Sequence, residues 1–451
     1  MTHLLKDAWA LAIETLGQVE LLRLSERLAL AKATRELGIT NSNAVRYAYG
    51  LVVETIRGRN LIDKFVETII KPKTLDDLSL GVQSFLRLYV YQIRVAKDWA
   101  DPDLEEASRV AKLGRSILGW KNFRVVEQFL GLLLSRQIEP VVREETDEER
   151  TALQTFHPKW FVEYCFRLFG RSEAIAFLEG SVYPPPFFVR LNLLKAPEGE
   201  IIAKLDAEGV KLEKTEQLDS VFKVTDSKRP LTSLQTYRDG MFYVQDKASC
   251  FAAEVANPKP GMTVLDVCAS PGAKTTHLAQ LMRNKGSIYS VDFSPRRIKT
   301  WRQEIQRMSA TIAEPVIADA RGRLPFTIEA DVVLLDPPCT STGSFGRQPS
   351  AKWRLSQKSA QSMAEIQWQM INSCAENVKP NGFLVYTTCS VTVEENEVTI
   401  ERFLKWHPEF QLAEIKPQIG MPGMRGLSRS CRFYPHFHES NGYFLAKLEK
   451  R

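Results

Sequence analysis

The spacing of hydrophobic residues changes character along the chain. Up to about residue 140, apolar positions recur at intervals of three and four, as in LLKDAWALAIETL, RLSERLALAKATREL, AVRYAYGLVVETIRGRNLIDKFVETI and RVVEQFLGLLLSRQI. That interval places one apolar stripe on each of several helices. Gly38, Pro72, Gly81, Pro102, Gly114 and Gly119 read as the breaks between them. The run REETDEER, Arg143–Arg150, carries five acids and no periodicity. It reads as a solvated linker or helix end, closing an all-helical domain over residues 1–145.

Residues 151–235 are mixed and read as a small α+β connector. HPKWFVEYCFRLFGRSEAIAFLEG predicts a helix that YPPP must end, because proline lacks the N–H donor and clashes with the preceding turn. FFVRLNLLK and VFKVTD predict short strands, and EGEIIAKLDAEGVKLEK a helix followed by a turn. From 236 to 451 the short apolar runs TVLDVCAS, SIYSVDFS, EPVIADA, ADVVLLDPP and GFLVYTTCS alternate with helical segments such as KTTHLAQLMRN and PRRIKTWRQEIQRM. Continuous apolar strands alternating with helices predict an α/β fold, a doubly wound, Rossmann-like parallel sheet covered on both faces. Such sheets bind ligands at the carboxyl ends of their strands.

A composition of 44% hydrophobic and 25% charged residues excludes a mainly disordered or fibrous chain. No apolar run reaches the ~18 residues of a membrane helix, and the first residues lack a secretion signal, so a cytoplasmic protein is expected. The first 150 residues hold 22 charges of each sign, so the net charge of +6 falls entirely in residues 151–451. A nucleic-acid partner is compatible with that excess. Seven scattered cysteines with no C-x-x-C pair predict free thiols, neither a disulfide framework nor a metal site.

The strand ends carry the candidate chemistry. After the first strand, DVCASPGAKT forms a turn of small residues that lets backbone N–H groups approach a ligand, yet it matches neither G-x-G-x-x-G nor the Walker pattern. Asp266, Asp292 and Asp319 fall at successive strand ends, and Asp292 is near the offset of an acid that holds ribose hydroxyls. Three acids in phase repel one another unless a ligand binds. A nucleoside with a cationic group, such as S-adenosylmethionine, suits them, whereas simple helix caps need no such phase. Cys339 follows Asp336-Pro-Pro after the fourth strand and Cys389 closes the fifth. Adjacent strands lie about 4.8 Å apart, so both thiols can face one cavity. Cys165, Cys250, Cys268, Cys374 and Cys431 read as buried structural thiols.

CASPGAKT, LLDPPCTSTGSFGRQPSAKWR and VYTTCSVTVEENE resemble the motifs of the RNA cytosine-5 methyltransferases, the RsmB/Fmu/Sun and Nol/Nop/Sun family. VRLN, QDKAS and RFYPHFHESNGYFLAKL extend the likeness over 157–451, and the helical block is similar to a NusB-like RNA-binding or accessory domain. The resemblance implies S-adenosylmethionine as cofactor, with Cys268, Ala269, Ser270, Pro271, Gly272, Ala273, Lys274, Asp292, Asp319 and Asp336 around it. It implies Cys389 as the nucleophile on carbon 6 of the base and Cys339 as the residue that assists release. Asp336 then holds the base edge, and Lys274 lies between base and cofactor. The implied partner is RNA, ribosomal or transfer; the sequence leaves the oligomeric state open and favours a monomer. The family's A-P-G-G-K is here Ser270-Pro-Gly-Ala273-Lys274, and its D-G-F-F is Asn441-Gly-Tyr-Phe.

Other readings remain open at this level. Methylation of an exocyclic amine could use D-P-P-C but has no need of Cys389, and a DNA cytosine-5 enzyme would carry its nucleophile in the P-C loop. An RNA-binding assembly factor with a decayed site is opposed by the intact cysteines, lysine and acids. Basic residues beside aromatics suit RNA. That points to Arg347, Lys352, Trp353 and Arg354, to Arg425, Arg429 and Arg432 near Phe433 and Tyr434, and in the helical block to Arg57 and Arg59.

Overall fold

Helices start where the sequence supplies a cap. The side chains of Ser25, Asn41, Asp103 and Thr146 each accept a backbone N–H of the first turn that follows. Thr146 shows why REETDEER is more than a linker. It opens a helix, Asp147–Gln154, whose first turn holds three acids, the favourable end of the helix dipole for negative charge. Gly114 is not a break but lies within the helix Leu104–Leu118, where a Cβ would collide with the Phe85 ring. The segment read as one helix before YPPP is two, Lys159–Phe169 and Arg171–Gly180, split at Gly170 with φ +74°.

The computed structural model describes residues 2–97, 102–325 and 327–451. The chain divides into two compact units, and one of them is discontinuous: residues up to Tyr183 join Phe345–Gln357, while Pro184–Ser344 joins Lys358–Arg451. The first unit is helical throughout its described residues, around buried Trp9, Phe65, Phe85, Tyr89 and Phe123.

Segment 345–357 is fixed to that helical core by side chains that the sequence suggested for RNA. Arg57, only 4% exposed, donates to the carbonyl oxygens of Gly346 (3.2 Å) and Val182. Lys352, 1% exposed, donates to Phe156 O. Trp353 Nε1 donates to Ile56 O at 2.7 Å and Arg354 to Arg23 O at 2.8 Å. Ser350 binds Glu26, and Phe345 packs on Phe161. Arg59 pairs with Glu20 and Asp63. Arg57 and Lys352 are intramolecular staples because burial leaves their donors only protein acceptors.

The second unit holds two sheets. Strands β1 (Phe188–Leu191), β2 (Val210–Lys214), β3 (Val221–Ser227) and β4 (Phe242–Val244) form an antiparallel sheet in the order β2-β3-β1-β4. The turn expected after EGEIIAKLDAEG is strand β2, entered through Gly209 at φ +82°. Strands β5 (Thr263–Val267), β6 (Ser287–Asp292), β7 (Ala313–Ile317), β8 (Ala330–Leu335) and β9 (Val378–Thr388) run parallel in the order β7-β6-β5-β8-β9. The sheet then continues antiparallel through β13 (Tyr443–Lys450), which also pairs with β10 (Phe410–Leu412), to β12 (Cys431–Phe433) and β11 (Met421–Pro422). Chain order reverses between β5 and β8, so the ligand crevice belongs at their carboxyl ends.

Candidate active site

Four adjacent parallel strands, β6, β5, β8 and β9, deliver their carboxyl ends to that crevice. The turn after β5 is tight, with Cys268 at φ +65° and Gly272 at φ +113°, and it feeds the helix Ala273–Leu281 that carries Lys274. Lys274 Nζ donates to Asp336 Oδ2 at 2.7 Å, while Thr387 Oγ1 donates to Asp336 Oδ1 at 3.1 Å. Tyr443 from β13 donates its hydroxyl to Thr387 Oγ1 at 3.1 Å. Burial disfavours the Lys274 ammonium, but the Asp336 carboxylate outweighs it and holds the lysine well above its usual pKa.

Cys339, in the loop after β8, and Cys389, at the end of β9, come together with their Sγ atoms 3.2 Å apart. Ser341 Oγ lies 3.3 Å from Cys389 Sγ. The hydrogen bond from Cys339 lowers the Cys389 pKa, against burial and with help from Ser341. The same bond, with burial, pushes Cys339 well up. The directions of the two shifts favour the thiolate form at Cys389 over Cys339.

The loop after Cys339 meets two of the other segments matched in the sequence. Gly343 N donates to Cys389 O at 3.0 Å and Gly442 N to Gly343 O at 2.8 Å. Asn441 N donates to Asp246 Oδ2 at 3.0 Å. Asn441 and Gly442 of N-G-Y-F thus tie the Asp246 carboxylate of QDKAS to the backbone of the loop after Cys339. Arg190 and Asn192 of VRLN are likewise buried staples, reaching Gln280 and Thr276, and Met308 O, respectively. Arg432, suggested for RNA, is 1% exposed and paired with buried Glu397, while Arg425 pairs with Glu401 and Arg429 donates to Leu412 O.

Residues 253–449 match the family described as 16S rRNA methyltransferase RsmB/F, and residues 157–229 match the ferredoxin-like domain of RsmF/B-like methyltransferases. Across 98% of both chains the protein is 28% identical to the probable ribosomal RNA small subunit methyltransferase B of Bacillus subtilis (strain 168). The chain belongs to the RsmB/F methyltransferase family. The crystal structure of PH0851 superposes on this RsmB/F chain with a TM-score of 0.84 at 30% identity, covering 99% of each chain. A tRNA (cytosine(72)-C(5))-methyltransferase of Pyrococcus horikoshii (strain ATCC 700860 / DSM 12428 / JCM 9974 / NBRC 100139 / OT-3) is 36% identical over 220 residues, 49% of this chain and 55% of that protein.

The cofactor of the RsmB/F family, S-adenosylmethionine, fits the turn after β5. Asp266 Oδ1 and Ser270 Oγ are buried there without a hydrogen-bond partner, unspent polar atoms that suit a cationic, hydroxyl-bearing ligand. Burial raises Asp266 to about 7, with Thr275 Oγ1 as its donor. Asp292 accepts from Ser270 N and Ser294 N and pairs with Arg297. Asp319 stands one strand further out, about half exposed and held by Arg321. Cys268 is half-buried in the turn, whereas Cys165, Cys250, Cys374 and Cys431 are buried as expected. No group of metal-ligating side chains occurs among the described residues, and no helix there is long and apolar enough to cross a membrane.

Proposed function

We propose that this RsmB/F enzyme methylates carbon 5 of a cytosine in small-subunit ribosomal RNA through a transient bond between Cys389 and carbon 6 of the base. The observation that carries the reading is the thiol pair, its sulfur atoms 3.2 Å apart, beside the Lys274–Asp336 ion pair. Carbon 5 of cytosine is a weak nucleophile, and addition at carbon 6 makes it an enamine carbon. The Cys389 thiolate forms the sulfur–carbon bond as the 5,6 double-bond electrons move to carbon 5. S-adenosylmethionine supplies the methyl group that carbon 5 then takes. Asp336, with both oxygens fixed by Lys274 and Thr387, orients the amino edge of the base.

Release needs the carbon-5 proton removed. In the resting pair the hydrogen bond to Cys389, then burial and the Cys389 charge, hold the Cys339 pKa up. Once Cys389 is a neutral thioether that charge is gone, so Cys339 can lose its proton to solvent and become a base. It then takes the carbon-5 proton, the electron pair restores the double bond, and Cys389 leaves as thiolate. The cofactor is held by Cys268–Lys274 together with Asp292, Asp319 and Asp336. End-to-end likeness to the Bacillus subtilis protein supports ribosomal over transfer RNA, since the transfer-RNA relative matches only about half of each chain. We assign residues 1–145 to an accessory, NusB-like role and the whole protein, as a monomer, to the cytosol, where its thiols stay reduced.

The test uses single mutants with labelled cofactor and small-subunit RNA. Cys389→Ala drops methyl transfer below ~0.1% of wild type and forms no adduct. Cys339→Ala accumulates an RNA–protein adduct that survives denaturing gels. An active Cys389→Ala enzyme would falsify the mechanism, and methylation of transfer RNA alone would overturn the substrate.

A further inference from the structure

The two cysteines lie fifty residues apart in sequence, on different loops, and their value to each other depends on a sulfur separation of 3.2 Å. One buried side chain joins those loops. Glu395, 0% exposed, accepts from the residue that follows each cysteine. On one oxygen it takes Thr340 N at 2.9 Å and Gln367 Nε2 at 2.9 Å. On the other it takes Ser390 Oγ at 2.6 Å, Thr392 Oγ1 at 2.8 Å and Thr340 Oγ1. Gln367 is itself oriented by donating to Pro338 O, in the Pro-Pro step before Cys339, and by accepting from the Tyr386 hydroxyl. Tyr386 also donates to the Glu395 carbonyl oxygen at 2.6 Å.

We infer that Glu395 is a positioning residue for the reaction, the clamp that sets the distance between Cys339 and Cys389. The inference rests on the reading of those cysteines as the catalytic pair. Its physical basis is the number and kind of its partners. A carboxylate offers about four acceptor sites and no donor, so it can collect N–H and O–H groups from two loops at once, which an amide cannot. No ion pair among the described residues includes Glu395, so its partners are fixed hydrogen-bond donors rather than a mobile cation. Burial makes each such bond strong and its loss costly. Four donors converging from the two cysteine loops, with Gln367 from a helix as the fifth, are more than either loop needs for its own turn. The proton-sharing that lowers Cys389 works only over hydrogen-bond distance, so a looser clamp acts on the nucleophile without touching it.

Glu395→Gln tests this with little change of volume. Its amide must turn one N–H pair toward existing donors, which opens the cluster. The expected result is a kcat lower by roughly 10- to 100-fold with KM for S-adenosylmethionine unchanged. The acid limb of the pH–rate profile moves to higher pH, because Cys389 loses part of the bond that favours its thiolate. A purely structural role would lower the melting temperature and the active fraction but leave the pH limb of the surviving enzyme in place. Wild-type kcat with an unmoved limb, or a loss of activity that tracks unfolded protein alone, overturns the inference. Should Glu395→Gln fail to fold, Thr392→Val, which removes one hydroxyl donor, carries the same readouts with a smaller expected shift. Cys389→Ala run alongside separates the two ideas: activity there defeats the nucleophile assignment, whereas an inactive Cys389→Ala beside an unaffected Glu395→Gln defeats only the clamp.

Discussion

At the scale of single residues, the acid at the end of β5 has a consequence that can be measured without substrate. Asp266 sits fully buried with one oxygen lacking a partner, and burial raises it from 3.8 to about 7. The folded, cofactor-free protein thus keeps a proton that the unfolded chain releases. Stability from this group is complete below about pH 4, declines as pH rises toward 7, and is level above. Asp266→Asn should flatten that decline and unfold at higher urea than wild type at pH 8, with little difference at pH 4. Parallel urea midpoints across the range would refute it. Cys339 and Cys389 were legible in the sequence because a thiol after a Pro-Pro turn and a thiol at a strand end are chemically unusual places. Glu395 was not, because an acid in VTVEENE looks like any solvated run until the fold buries it.

At the scale of elements, the parallel core β5 to β9 was readable because strands buried on both faces leave unbroken apolar runs. Strands β10, β11 and β12 are two or three residues long and carry no period to read. Arg432, in the basic cluster near them, misled for a related reason. Charge in sequence says nothing of depth, and Arg432 is locked to Glu397 with the Nε contact at 2.6 Å. Arg432→Met leaves that acid buried and unpaired, so the protein should lose about 3–5 kcal/mol in denaturant unfolding. An unchanged stability with weakened RNA binding would instead return Arg432 to the RNA surface. The contact between Gly343 and Gly442 makes a second test. A Cβ on Gly343 would overlap the Gly442 carbonyl, so Gly343→Ala must separate the loop of Cys339 from β13. Roughly 100-fold loss of kcat is expected, with the adduct assay of Cys339→Ala slowed to match when the two changes are combined.

At the scale of the whole molecule, the sequence showed where composition changes but not that one unit borrows a segment from the other's stretch of chain. Nothing local marks Phe345–Gln357 as belonging with residues up to Tyr183, since its contacts are all distant in sequence. A protein beginning at Pro184 would carry Phe345, Lys352 and Trp353 without their partners. It should aggregate on size-exclusion chromatography, and replacing 345–357 by a Gly/Ser linker should restore a soluble species. A monodisperse, unmodified 184–451 protein would show that the segment finds other cover.

That borrowed segment also dictates an order of assembly on the ribosome. The helices up to Tyr183 leave the tunnel first, yet Arg57 cannot reach Gly346 O, nor the carbonyl oxygens of Ile56 and Phe156 meet their partners, until residues 346–353 have been made. At about 5–20 residues per second that is a wait of roughly 10–30 s, during which a buried-to-be arginine and a hydrophobic seat for Trp353 stand open. The first part of the chain to be synthesised is among the last to be completed.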